Sequence, residues 1–154
     1  MKKGVLTRIE ADEKVIQVRM DNVEKNSLFV ADIFKTFSKH GVNIDMISSV
    51  NFVEELRIDF TCEEDSQKQL NEAIQEVNDN HPRISIHTYK NVGKLVVEGE
   101  AMRDEPGVAA EIFDIFGQNQ IPFSQVTTSE ISISFVLHSK YIAKALEKIK
   151  EAIE

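Results

Sequence analysis

Val30-Ala31-Asp32-Ile33-Phe34 returns, 79 residues further along, as Ala109-Ala110-Glu111-Ile112-Phe113. At the same offset Phe37 answers Phe116, Ile44 answers Phe123 and Ile47 answers Val126. Further on the offset shrinks to 75, with Glu55-Leu56-Arg57-Ile58 aligning with Glu130-Ile131-Ser132-Ile133, so the first copy carries four extra residues near positions 51–54. Two copies are too few for a solenoid, which needs at least three. The chain reads instead as a tandem of two small domains.

Each copy has the same internal pattern. Residues 14–20 place Ile16, Val18 and Met20 on one face, the period-two signature of a strand. Residues 27–40 set Val30, Ile33, Phe34 and Phe37 at i, i+3, i+4 and i+7. That spacing predicts an amphipathic helix starting near Ser27 and stopping at Gly41. Residues 42–50 return to strand, and Leu56, Ile58, Phe60 and Cys62 alternate with Arg57, Asp59 and Thr61 as a half-buried strand. Glu63-Glu64-Asp65-Ser66 opens a second helix striped by Leu70, Ala73, Ile74 and Val77, and acids suit its positive end. Pro82 blocks its continuation, and residues 84–89 form a fourth strand, giving the order βαββαβ.

The second copy repeats the pattern: a strand at 95–99, a helix over 106–118 carrying Ala109, Ile112, Phe113 and Phe116, strands at 121–127 and 131–137, and a helix over 141–153. No fourth strand follows. A spare strand stands at the other end of the sequence, where Val5, Thr7 and Ile9 alternate with Leu6 and Arg8 ahead of a turn near 11–13. An open sheet edge wants a partner, so residues 4–10 are expected to complete the second sheet. The expected fold is α+β: two ferredoxin-like βαββαβ domains with antiparallel sheets and helices on one face. The first domain, residues 14–90, is inserted into the second, residues 4–10 plus 92–154.

Composition narrows the function. With 154 residues, the chain has room for two domains of about 75 residues each. Apolar residues at 42% and charged residues at 29% describe a globular protein, and no apolar run is long enough to cross a membrane as a helix. A net charge of −8 with no basic stripe argues against nucleic acid and anionic membranes as partners. No apolar run follows Met1-Lys2-Lys3-Gly4, so no secretory leader is expected and the protein is read as cytoplasmic. The lone Cys62 lies on the inward face of its strand and reads as core. His40, His81, His87 and His138 lack catalytic or metal spacing, and there is no Gly-rich phosphate loop. No catalytic residue, metal or cofactor is expected.

The run Met102-Arg103-Asp104-Glu105-Pro106-Gly107-Val108-Ala109-Ala110-Glu111-Ile112-Phe113 resembles the loop-helix motif of the second ACT domain of aspartate kinases. Thr127-Thr128-Ser129-Glu130-Ile131-Ser132-Ile133-Ser134 resembles the strand pair that follows it there, and Gly41-Val42-Asn43-Ile44-Asp45-Met46-Ile47 is similar to the matching segment of the first ACT domain. The resemblance covers residues 4–153 and implies the same insertion of one ACT domain into the other. It further implies a regulatory module without the kinase domain, either a free-standing subunit or part of a longer enzyme. Such a module senses lysine or threonine as end-product, forms a homodimer and acts on an aspartate kinase catalytic subunit. The alternative implied is a degenerate pair that only dimerises or scaffolds.

In the resembling family the effector lies between a loop-helix start and a strand of a neighbouring ACT domain. Backbone N–H groups at a helix start suit its carboxylate, and an acid must take its ammonium. The candidate set is Ser27, Leu28, Phe29 and Val30 with Asp45, Ser48 and Ser49 in the first copy, and Pro106, Gly107, Val108 and Ala109 with Glu130 in the second. The chain departs from the family pattern at Lys25, Leu28, Ser49 and Pro122-Phe123-Ser124. Leu28 stands where Gly is usual and is expected to shield the first set of amides.

Overall fold

The computed structural model describes residues 1–154. The chain divides into two compact units, Lys14–Lys90 and Met1–Glu13 with Asn91–Glu154.

In the unit Lys14–Lys90, β2 (Val15–Glu24) leads to α1 (Ser27–Lys39), then β3 (Asp45–Asn51), β4 (Glu55–Glu63), α2 (Gln67–Asn80) and β5 (Ser85–Tyr89). The antiparallel sheet runs β3-β4-β2-β5. Strand alternation sends Ile16, Val18 and Met20 of β2 and Ile58, Phe60 and Cys62 of β4 toward the helices. There they join Ile33 and Phe37 of α1 and Leu70, Ala73 and Val77 of α2 in one core. The other face carries a polar ladder: Arg19 Nε donates to Asp59 Oδ1 at 2.8 Å, and Arg57 Nε to Asp21 Oδ1 at 2.7 Å. The bond to Asp59 holds the Arg19 guanidinium above its ordinary pKa, against the opposing effect of burial. Burial pushes the Cys62 thiol up to about 11, which leaves it protonated and unreactive near neutrality.

The other unit is built alike from β1 (Arg8–Asp12), β6 (Val92–Glu98), α3 (Val108–Gln118), β7 (Gln125–Thr128), β8 (Ser132–His138) and α4 (Ile142–Ile153). Its sheet runs β1-β6-β8-β7. The strand that opens the sequence therefore occupies the edge that β5 occupies in the first sheet, paired antiparallel with β6 from Arg8↔Glu98 to Asp12↔Lys94. The core gathers Leu95, Val97, Ile112, Phe116, Ile133, Phe135, Leu137, Ala145 and Ile149.

Two boundaries that bear on the candidate site differ from the sequence reading. The first strand spans Arg8–Asp12 and not 4–10, because Val5 and Leu6 are both buried, at 4% and 6% exposure, rather than alternating. They cross beside Gly99, where an added Cβ would lie 1.7 Å from the Val5 carbonyl oxygen. Helix α3 begins at Val108, not 106, because Gly107 at φ +90° is left-handed and ends the preceding turn. Its buried stripe is consequently Val108, Ile112 and Phe116, with Ala109 exposed. Phe113 lies on the flank, its ring 5.7 Å from Phe123 and 5.6 Å from Phe135.

Candidate functional site

The two helix starts named by the sequence are built differently. At α1, Asn26 is the N-cap, and its Oδ1 accepts from the N–H groups of Leu28 at 2.9 Å and Phe29 at 3.2 Å. The Val30 N–H donates to the Asn26 carbonyl at 3.0 Å. The amides offered to a carboxylate are thus satisfied within the chain. Leu28 does not shield them: its side chain is 78% exposed and points into solvent. Asn26 is the blocking group, and an Asn directly before a helix is a cap signal legible in the sequence. Replacing Asn26 with alanine is expected to cost about 1 kcal/mol in urea denaturation. Unchanged stability would show that the cap bonds contribute nothing.

Asp45 is not near this helix start. It opens β3 opposite Thr61, whereas α1 begins beside the far end of the sheet, where Glu24 pairs with Glu55 and Asn51 with Leu56. Six residue steps separate the two ends of β3, at most about 20 Å. Ser48 and Ser49 lie between them, opposite Asp59 and Ile58. Within one chain the first candidate set is therefore split.

The second set is brought together. Gly107, Val108, Ala109 and Glu130 line one shallow groove of about 250 Å³ with Met102, Glu105, Thr128, Ser129 and Ile133. Pro106 precedes it and, with Gly107, turns the chain into α3. No side chain caps the α3 start, so its first N–H groups face outward with the positive helix end behind them. Glu130 sits at the tip of the β7–β8 turn. That turn is tied by Ser129 N donating to the Ser132 carbonyl at 2.9 Å and by the two serine hydroxyls at 2.8 Å. Arg103, which the sequence reading did not single out, approaches Glu130 at 3.8 Å and Glu100 at 3.5 Å. The groove thus offers amide donors and two carboxylates, Glu105 and Glu130, with the Arg103 guanidinium beside Glu130. No group of three or more His, Cys, Asp or Glu side chains forms a metal site, and no helix is long and apolar enough to cross a membrane.

A model of the ACT domain matches residues 95–153, the segment that contains this groove. Over its whole length the chain is 27% identical to Aspartokinase 2 of Bacillus subtilis and covers 38% of that protein. It spans well under half of the curated relatives it matches. A crystal structure of aspartokinase alpha and beta subunits superposes with a TM-score of 0.85 at 26% identity, covering 96% of this chain and 97% of that one. The ligand-free regulatory subunit of aspartate kinase from Thermus thermophilus shares the fold, with a TM-score of 0.87 at 22% identity over 97% and 99% of the two chains. The carboxy-terminal part of the chain, residues 95–153, is similar to an ACT domain. The chain as a whole resembles the regulatory subunit or regulatory region of an aspartate kinase.

Proposed function

We propose that this chain is the amino-acid-sensing part of an aspartate kinase, a pair of ACT domains over residues 14–90 and 4–10 plus 92–154. It works in the cytoplasm as a homodimer on a catalytic subunit or domain and responds to lysine or threonine. The observation that carries this reading is the groove at α3, where uncapped amides and the Glu130 carboxylate stand together. A zwitterionic amino acid matches that pairing: its carboxylate accepts from the N–H groups after Gly107, and its ammonium replaces Arg103 beside Glu130. Gly107, without a side chain, leaves the approach open. Feedback then follows if the ligand binds one quaternary arrangement better than another, since only a difference in affinity moves an equilibrium.

Asp45 has a role in this reading through a second copy. β3 is an edge strand that pairs within its sheet with β4 alone. Antiparallel pairing with β3 of a partner brings the partner's Asp45 end next to the Asn51 end, beside the α1 start. The Asn26 cap makes α1 the weaker of the two helix-start sites.

Calorimetry and thermal melting with lysine and threonine test the reading. An effector at 100 times its dissociation constant adds about 2.7 kcal/mol to stability. Glu130→Gln is expected to weaken that effector about tenfold or more, as loss of a charge-assisted hydrogen bond does. A wild-type chain that no amino acid stabilises at millimolar concentration would overturn the proposal.

A further inference from the structure

Both carboxylates of the α3 groove are held by cations of the chain itself. Arg103 lies 3.8 Å from Glu130, and Lys2 Nζ lies 3.6 Å from Glu105 Oε2. The two acids differ in setting. The Glu130 side chain is 78% exposed and that of Glu105 only 22%, so water screens Glu105 less and a cation beside it counts for more.

Lys2 comes from outside the segments that line the groove, on a fixed mount. Val5 and Leu6 are buried at the close crossing beside Gly99, and Met1 packs against the same core. Between these anchors the Val5 N–H donates to the Lys2 carbonyl at 3.3 Å, across a turn in which Gly4 stands at φ +81°, a conformation that suits glycine. The Lys2 backbone is thus held at the groove rim, while its side chain, 81% exposed, is free to leave. An ammonium tethered in this way acts at a high effective concentration and competes with a cation arriving from solution.

We propose that Lys2 is an internal stand-in for a ligand ammonium: it occupies Glu105 and makes the groove discriminate against ligands that carry a second positive charge. The ligand class rests on the amino-acid-sensing reading, in which the α-carboxylate meets the N–H groups after Gly107 and the α-ammonium meets Glu130. Glu105 is the remaining carboxylate of the groove. A monoamino ligand leaves it to Lys2, and a diamino ligand has to displace Lys2 to use it. The coupling is reciprocal: a second ammonium on Glu105 frees Lys2 by as much as Lys2 weakens that ligand.

The test is calorimetry of the full chain, Lys2→Gln and Lys2→Arg with lysine and with norleucine, its analogue without the second ammonium. The amide resonances of Val108, Ala109 and Glu130 locate the binding. Lys2→Gln is expected to bind lysine about two- to fivefold more tightly, the range of an exposed ion pair, and norleucine as before. Lys2→Arg, which keeps the charge, should behave as wild type. The gain for lysine should vanish in about 1 M salt, where charges are screened beyond about 3 Å. An unchanged spectrum of the free variants verifies the fold. Lysine and norleucine strengthened alike would show that Lys2 obstructs the groove without acting on Glu105, and would overturn the assignment. Equal lysine affinity in wild type and Lys2→Gln, with the groove signals moving, would overturn the inference and leave the sensing reading intact. If no amino acid moves those signals in wild type or either variant, both readings fall.

Discussion

Gly99→Ala is expected to unseat the amino-terminal segment from its sheet. The new methyl carbon would lie 1.7 Å from the Val5 carbonyl oxygen and 2.8 Å from its carbon, and both are backbone atoms that no side-chain rotation can move away. Gly99 is extended at φ −173°, so the residue is needed for space and not for a left-handed turn. If the segment is displaced, Val5 and Leu6 lose their burial, at about 1.5–3 kcal/mol each, and Thr7 loses its 2.8 Å bond to the Glu98 carbonyl. The sequence contains two tyrosines and no tryptophan, and the tyrosines fall in different units: Tyr89 in Lys14–Lys90, Tyr141 in the other. Tyr141 fluorescence should therefore show a loss of several kcal/mol, about 3–6 if both side chains are fully released, while Tyr89 reports little change. Gly117→Ala, in α3 with open space around it, is the control and should be neutral or slightly stabilising. Coincident melting of Gly99→Ala and wild type would show that the close crossing is absent in solution.

Phe135→Ala should be comparably damaging, by a different route. The ring is fully buried and stacks on Phe116 at 4.4 Å, with Phe123 at 5.5 Å and Phe113 at 5.6 Å against it. Truncation leaves a cavity between β8 and α3, and such changes cost about 3–5 kcal/mol. For a unit of this size that lowers the melting temperature by roughly 4–8 °C per kcal/mol. Phe123→Ala, at a ring that is 40% exposed, should cost less than half as much. Equal losses at the two positions would mean that the aromatic cluster is more open than its packing indicates.

The tandem architecture was legible because the repeat survives in positions that packing constrains. Ile33 and Phe37 recur as Ile112 and Phe116, and all four are buried. What the sequence concealed were choices among apolar neighbours. Val5, Thr7 and Ile9 alternate like a strand, but Leu6 is buried as well, because a close backbone crossing at Gly99 covers both sides. Ala109 and Val108 are equally plausible as the first core residue of α3. The left-handed Gly107 decides between them by shifting the helix start by two residues. Asp45 and the α1 start read as one motif in sequence, and only the sheet register separates them.

The edge position of β1 has a consequence for synthesis on the ribosome. Arg8 emerges 90 residues before its partner Glu98, and the remaining strand and helix of that sheet come later still. The unit Lys14–Lys90 is contiguous and can close as soon as β5 leaves the exit tunnel. Residues 8–12 must wait, unpaired, until Lys94–Glu98 of β6 has been made. Vectorial synthesis thus sets the order of folding, with the inserted unit first and its host last. The five residues of β1 are the stretch exposed longest to mispairing with another nascent chain.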